Sequence, residues 1–411
     1  MSGGAAASGG AAERAWARAR RRDRRVYLVG HPVLFALLCA TRHRPVVRLG
    51  RTVLVHGTAA YREVLTRVPL DRTAAGTTGG AAARLTGNPG GGTASGSAPD
   101  GHTASGSTAS SGAPGGSAPD NGNPTPRAPL APGLLFDQDG SDHRTTRRAL
   151  AGELNAAVVR RARASWQALL AERLAGLTDG GTLDLVELSL ELAGRTTAAL
   201  TGSTADPLRL ARAATAAAAA AAREHLPGPH RRRGRAGSTA ADATAALTAL
   251  LADPAEAMLA VAAVNTTVAA LPRAAAWCAD AGCWPTPDAA PGLATELLRS
   301  TAPSPLLPRV AAADATVAGC PIRAGDRLLL VARHAAQAHR PGPAAPVAAQ
   351  AVFGTGPHAC PGAGLARAQL ADFLAALAVH RPVVVRRRVD RRAALPGYRL
   401  LIVRGAGASC G

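Results

Sequence analysis

The stretch Phe353-Gly354-Thr355-Gly356-Pro357-His358-Ala359-Cys360-Pro361-Gly362 gathers the residue types best suited to chemistry in this chain. Its glycines let backbone approach a flat ligand closely. Cys360 stands just ahead of a helical pattern over 363–379, where amide donors and a positive helix end favour thiolate over thiol. A thiolate so placed suits an axial bond to haem iron, and its electron push helps cleave an O–O bond.

Other segments gain meaning beside that one. Glu296-Leu297-Leu298-Arg299 puts opposite charges at i, i+3, on one helix face. Alone, such a pair reads as a surface salt bridge worth under about 1 kcal/mol. Asp142-His143-Arg144-Thr145-Thr146-Arg147-Arg148 places His143 and Arg147 at i, i+4, alone a solvated basic face. Leu307-Pro308-Arg309 and Ala263-Val264-Asn265-Thr266-Thr267 complete the set.

In this order the segments resemble the cytochrome P-450 family, over about residues 26–404. The resemblance implies a mainly α fold with a small β part, a helical haem-binding domain plus short antiparallel sheets. It implies haem b on the Cys360 thiolate, in a loop formed by Phe353, Gly354, Gly356 and Gly362. His143, Arg147, Arg309 and His358 match the family's donors to the haem propionates, and charge-assisted hydrogen bonds to carboxylates are the strong ones. Glu296 and Arg299 match its buried structural pair behind the haem. The implied activity is that of a monooxygenase inserting one atom of O2 into a small organic substrate by hydroxylation or epoxidation. A ferredoxin or flavodoxin and its reductase would relay electrons from NAD(P)H, and tailoring of a secondary metabolite is the expected setting.

Two departures from the pattern bear on mechanism. The family's central helix usually carries an acid and then Thr over the oxygen site. Here Thr266 matches the Thr, and Asn265 stands where the acid would be. An amide cannot take up and release a proton at neutral pH. The stretch from Arg299 to Phe353 is also short, and the arginine that completes a triad with Glu296 and Arg299 is unclear; Arg333 and Arg340 are the candidates.

The elements that must position these groups follow from pattern. Residues 45–50 and 51–57 read as two short strands and a helix follows to Arg67. From 140 to 280 the pattern is helical, with loops at 201–207 and 226–238. Asp253-Pro254-Ala255-Glu256 forms a capping box opening a helix that runs to Pro272, a proline expected to kink it. Strands are expected within 315–331, 382–386 and 398–403. Residues 1–25 read as a disordered Arg-rich tail ahead of a single domain, 26–411. The Gly/Ser/Thr-rich stretch 76–128 reads as a flexible insertion, by analogy in the region between helices B and C.

Composition narrows the alternatives. Hydrophobic residues make up 47% of 411, enough for a large core, while aromatics at 3% argue against a base-stacking nucleic-acid platform. The net charge of +20 comes from arginine alone, without a single lysine; with abundant Ala and Gly, that is the signature of a GC-rich genome rather than of a polyanionic partner. Six cysteines show no framework spacing, which fits reduced thiols in the cytoplasm. Arg20–Arg25 followed by the apolar stretch 26–40 superficially resembles a twin-arginine signal, but Gly30, His31 and Pro32 interrupt it, and no membrane span is expected. The reading is a monomer with no nucleic-acid partner. His334 and His339, at i, i+5, do not share a helix face for a metal. The rival readings are oxidative coupling, a peroxide-using haem-thiolate enzyme, and an inert scaffold of the same fold that recruits a carrier protein.

Overall fold

Ala/Leu-rich runs fold most of this chain as helix, and the few Val/Ile/Leu-rich stretches after turns make small sheets. A computed structural model describes residues 3–74, 77, 138, 140–154, 156–225, 233–251, 253–342 and 344–406. Apart from Thr77, the low-complexity stretch 76–128 lies outside them, as do Arg231 and Arg232. In chain order the elements begin α1 (Gly3–Gly30), α2 (Pro32–Thr41), β1 (Val46–Leu49), β2 (Thr52–Val55), α3 (Thr58–Arg67) and β3 (Leu70–Asp71). The helical part holds α4 (Gly140–Glu153), α5 (Ala156–Leu174), β4 (Thr182–Asp184), α6 (Leu185–Thr201), α7 (Pro207–His225), α8 (Arg233–Thr248), α9 (Pro254–Ala281) and α10 (Ala290–Thr301). Then come β5 (Leu307–Ala311), β6 (Ala315–Val317), β7 (Cys320–Ile322), β8 (Arg327–Leu330), α11 (Ala332–Ala335), α12 (Pro346–Gln350), α13 (Ala363–His380), β9 (Val383–Asp390) and β10 (Gly397–Arg404).

Local signals explain several boundaries. Asp184 caps α6 by accepting from the Val186 amide at 2.9 Å, and Gly202 ends that helix with φ 68°. α9 opens at Pro254 as the capping signal implies, but it does not stop at Pro272; it runs on to Ala281. One missing amide donor costs less than the burial and the Arg273 contacts that follow it return. The loop read over 226–238 is helical from Arg233 onward.

The strands form a sheet ordered β1-β2-β8-β5-β3, a second ordered β4-β10-β9, and the pair β6-β7. An all-antiparallel arrangement does not hold: β2 and β8 run parallel, Val53 opposite Leu328 and Val55 opposite Leu330. The long helical crossover between them permits that orientation. Helix α9 is the hub, packed against α6, α7 and α1. It is long and apolar enough to cross a membrane by length and composition, and 56% of that stretch is buried inside the protein. The largest core joins Trp166 and Leu169 of α5, Leu188 and Leu192 of α6, Trp277 of α9, Leu297 of α10, Phe373 of α13 and Leu401 of β10. Each large side chain so buried is worth about 1.5–3 kcal/mol.

The tail read over 1–25 requires correction, because residues Gly3–Gly30 are one helix. Ala19, Asp23, Val26 and Tyr27 fall on one buried face between the arginines. Asp23 receives Arg273 of α9 in a two-point grip, Nε at 2.8 Å and Nη2 at 2.9 Å. The same guanidinium donates to the Tyr27 hydroxyl at 2.6 Å and to the Thr301 carbonyl at 2.5 Å. Arg333 stacks over the Tyr27 ring at 4.0 Å and lies 3.6 Å from Asp23. A guanidinium 1% exposed needs those oxygens. Asp23→Ala is expected to lower unfolding free energy by about 3–5 kcal/mol in urea titrations. Adding Arg273→Met, which removes the stranded charge, should restore part of the loss.

Candidate functional site

The loop ahead of α13 is held by backbone geometry. The Cys360 amide donates to the Phe353 carbonyl at 2.7 Å, closing it. Gly354 and Gly356 both lie in the left-handed region, at φ 73° and 74°. A Cβ on Gly356 would stand 3.1 Å from Thr66 Cγ2 and 3.3 Å from the Leu65 carbonyl of α3, so only glycine lets the loop lie this close. Below it, the buried Tyr61 hydroxyl donates to the Ala351 carbonyl at 3.1 Å. The Phe353 ring lies under the Arg367 guanidinium, 4.5 Å from ring centre to carbon.

Cys360 sits two residues before Gly362, the residue preceding α13, and its side chain opens to solvent. Protein walls it on the other sides, and the lost hydration pushes its thiol above the usual value. The Gly362 amide, Arg147 and Arg367 pull the other way. The sulfur therefore has amide and guanidinium support on the protein side and an open face for a partner.

Cations surround this loop. Arg147 Nη1 donates to the Ala359 carbonyl at 2.7 Å, tying α4 to the residue before Cys360. The His143 ring stacks on His358, with centroids 3.7 Å apart and planes at 30°. These two, on helix and loop 215 apart in number, meet as the sequence grouping implies. Arg309 of β5 gives one hydrogen bond to its neighbour's carbonyl, at Pro308. Its Nε is buried with no hydrogen-bond partner. Burial pulls its guanidinium down to about 10, with Arg72 adding to the effect and Tyr61 opposing it. No ion pair joins Arg309 to a carboxylate among the described residues. A half-buried cation with no counter-charge among the described residues, an open thiol and a glycine-lined loop together suit a flat ligand that carries both a metal and acidic groups.

Glu296 and Arg299 form a clamp on α10, with the arginine buried and the glutamate half-buried. Arg299, 1% exposed, donates from Nε to Glu296 at 2.8 Å and from Nη2 to its other oxygen. Its remaining donors reach the carbonyls of Ala336 at 3.2 Å, Gln337 at 2.8 Å and Gly342 at 3.1 Å. Three backbone oxygens thus stand where a third side chain was sought. Arg333 is turned instead to Asp23 and the Ser300 carbonyl.

On α9, Thr266 is exposed and its hydroxyl donates to the Ala262 carbonyl at 2.8 Å. Asn265 Nδ2 donates to the Val261 carbonyl at 2.7 Å and reaches the Ala214 carbonyl of α7 at 3.4 Å. The amide thus links two helices. The apolar positions around them divide: Ala260 and Val264 are fully buried against α7, while Val261, Ala262, Ala263 and Val268 are half-buried. Of the arginine run 386–388, Arg387 is paired with Asp280 at 2.7 Å and Arg386 and Arg388 are exposed.

Sequence reasoning missed three groups. Arg367 stacks on Phe353 and supports the Cys360 thiolate; its place one turn into the helix after the cysteine was the available signal. Tyr61 carries no local signal. His56, just past β2, completes a trio of which it and His334 are buried and His339 half-buried: its Nδ1 meets His334 Nδ1 at 2.9 Å, and the His334 and His339 rings cross edge-on at 5.4 Å. No set of three or more His, Cys, Asp or Glu suited to a metal ion occurs among the described residues.

No known protein-family profile matches the sequence, and no curated protein does. Solved structures do match. Cytochrome P450BioI superposes with a TM-score of 0.65 at 15% identity, over 92% of this chain and 99% of that one. Cytochrome P450 EryK from S. erythraea gives 0.64 at 19%, over 93% and 98%. CYP109B1 from Bacillus subtilis gives 0.60 at 15%, over 92% and 100%. The chain has the cytochrome P450 fold.

The histidine trio sets a pH dependence. Burial holds His56 at about 4, His334 at about 3 and His339 at about 4, with Arg42, Arg299, Arg333 and Arg340 adding like charge around His334 or His339. At 2.9 Å one Nδ1 must accept from the other, so both rings cannot be protonated. The unfolded chain binds these protons near pH 6.5 and the folded one only near 4. Their contribution is complete above pH 6.5 and is lost as pH falls towards 4. Urea midpoints should therefore drop between pH 7 and 4.5, and less steeply in His334→Gln.

Proposed function

We propose that this protein is a haem-thiolate monooxygenase of the cytochrome P450 type, acting on a small organic substrate. The observation that carries the reading is Cys360, open to solvent in a glycine-built loop at the head of α13, within a cytochrome P450 fold. Cys360 would hold the iron, while Arg309, His143, His358 and Arg147 would meet the acidic edge of the ring. Bound there, a haem supplies dioxygen cleavage assisted by electron release from the sulfur.

This chain's own residues have definable parts. Arg147 fixes the Ala359 carbonyl and so the direction of the next residue, Cys360. The Gly362 amide steadies negative charge on sulfur. Glu296 and Arg299 hold the segment 336–342 that leads into the loop. Thr266 offers an exposed hydroxyl able to pass a proton, and Asn265 orients without titrating. Protons must then arrive through Thr266, water or substrate. That favours, as a second reading, peroxide as the oxygen source, since peroxide brings its own protons. Electrons in the first reading come from NAD(P)H through a ferredoxin or flavodoxin, and the exposed Arg386 and Arg388 suit an acidic carrier of that kind.

Substrate class rests on the neighbours. P450BioI was solved with an acyl carrier protein bearing hexadec-9Z-enoic acid, and an EryK mutant with erythromycin B. OxyD, involved in biosynthesis of vancomycin-type antibiotics, shares the fold at a TM-score of 0.52. Tailoring of a secondary metabolite, free or carrier-bound, is the reading in keeping with them.

The reduced, carbon-monoxide-bound absorption spectrum tests the proposal. A red-shifted thiolate-type Soret band is expected from the wild type and its loss from Cys360→Ala; purified protein that takes up no haem overturns it. Product formed with peroxide but not with ferredoxin and NAD(P)H selects the second reading. Arg309→Leu separates binding from folding: it should release haem faster to a scavenger, while the apoprotein remains as stable as wild type or gains stability, because a half-buried cation whose Nε has no hydrogen-bond partner is removed.

A further inference from the structure

Helix α9 ends on a motif that brings two thiols together. Gly282 adopts φ 65°, and the Cys283 amide donates to the Cys278 carbonyl at 3.1 Å. That bond, reaching back from the second residue past the helix end, defines a Schellman stop, in which these two side chains normally make a hydrophobic contact. Here both are cysteines, and the two free thiols influence one another. Cys278 is wholly buried beside Trp277, while Cys283 is half-exposed beside Trp284. That influence keeps the Cys283 thiol below its usual value and Cys278 above it. The outer sulfur is thus the readier nucleophile, and the inner one is positioned to answer it.

We propose that Cys278 and Cys283 form a redox site that a hydroperoxide converts to a disulfide across the end of α9. The amide-to-carbonyl bond between the two residues draws their backbones together, as a disulfide needs. In the reaction, Cys283 sulfur as thiolate attacks one peroxide oxygen and the O–O bond breaks; hydroxide leaves and is protonated to water. The sulfenic acid formed is displaced by Cys278 sulfur, whose proton departs with the second oxygen as water. Two thiols and one hydrogen peroxide give one disulfide and two waters, the sulfurs losing two electrons. A thiol reductant returns the pair. The site lies apart in sequence from Cys360, and its chemistry does not depend on haem.

The test uses purified full-length protein and hydrogen peroxide. Both cysteines fall between Arg273 and Arg299, so trypsin leaves them in one peptide. After brief oxidation, unreacted thiols are blocked with N-ethylmaleimide and the digest is weighed. The expected product is that peptide two hydrogens lighter and free of maleimide, formed ahead of adducts at Cys39 and Cys320 and reversed by dithiothreitol. Cys283→Ser, at a half-exposed position that tolerates the change, should abolish the light peptide and leave Cys278 alkylated only after unfolding. Tryptophan fluorescence should fall on oxidation of the wild type, because a disulfide beside Trp277 and Trp284 quenches them, and should not fall in Cys283→Ser. A peptide that carries two maleimides after oxidation, or a sulfinic acid at Cys283 with Cys278 still reduced, overturns the proposal.

Discussion

A guanidinium withdrawn from water has to be surrounded by oxygen, and much of this architecture follows from where Arg299 obtains it. Glu296 supplies two atoms one helical turn away, and Ala336, Gln337 and Gly342 supply the rest from a segment with little regular structure. A stretch so short of its own hydrogen-bonded ladders would otherwise wander. Anchored there, it delivers the chain to Tyr61 and Thr66 of α3, where the glycine loop settles and Cys360 takes its place. Arg273 repeats the arrangement on the far side of α10, collecting Asp23, Tyr27 and the Thr301 carbonyl. Arg299, within α10, secures what precedes the thiol loop, and Arg273, on the Thr301 carbonyl at the end of α10, secures the first helix.

The same electrostatics separates structural arginines from those at the site. Arg273, Arg299 and Arg387 each have a carboxylate within reach, so their charge is answered by protein. Arg309, half-buried with its Nε out of contact with water, has none among the described residues, and Arg147 spends its donor on a carbonyl. Positive charge left uncompensated in a recess is costly in the empty protein and attracts anionic groups. In a chain that also carries a thiol with one open face, that imbalance is the feature best suited to binding.

Much of this could be read from residue order. Strands at 46–49 and 52–55, the helix to Arg67 and the helix after Cys360 announce themselves through Gly/Pro punctuation and apolar period. The glycine loop, the Glu296–Arg299 spacing and the His143–Arg147 pair are local patterns, so sequence alone exposes them. What escaped depends on distant partners. The first helix hides its buried stripe among arginines, and only Arg273, 250 positions away, makes Asp23 worth burying. His56 stands near the end of a stretch read as strand, and nothing local pairs it with His334 until β2 lies along β8. Pro272 breaks a helix in isolation, but here core packing carries the helix past it. The parallel pairing of β2 with β8 is likewise a property of the whole chain.

That pairing also constrains how the protein is made. His56, just past β2, and His334, in the short helix α11 that follows β8, are separated by 278 positions. During synthesis the early strands β1 and β2 leave the ribosome as an isolated hairpin, which two strands alone hardly sustain. Their outer edge waits unpaired while nearly the whole helical part is translated. Such high contact order makes sheet closure a late and slow event. In the interval the exposed edge is open to wrong pairing with other nascent chains. Yield in a foreign host should then be governed by translation speed and chaperone supply more than by the stability of the finished fold.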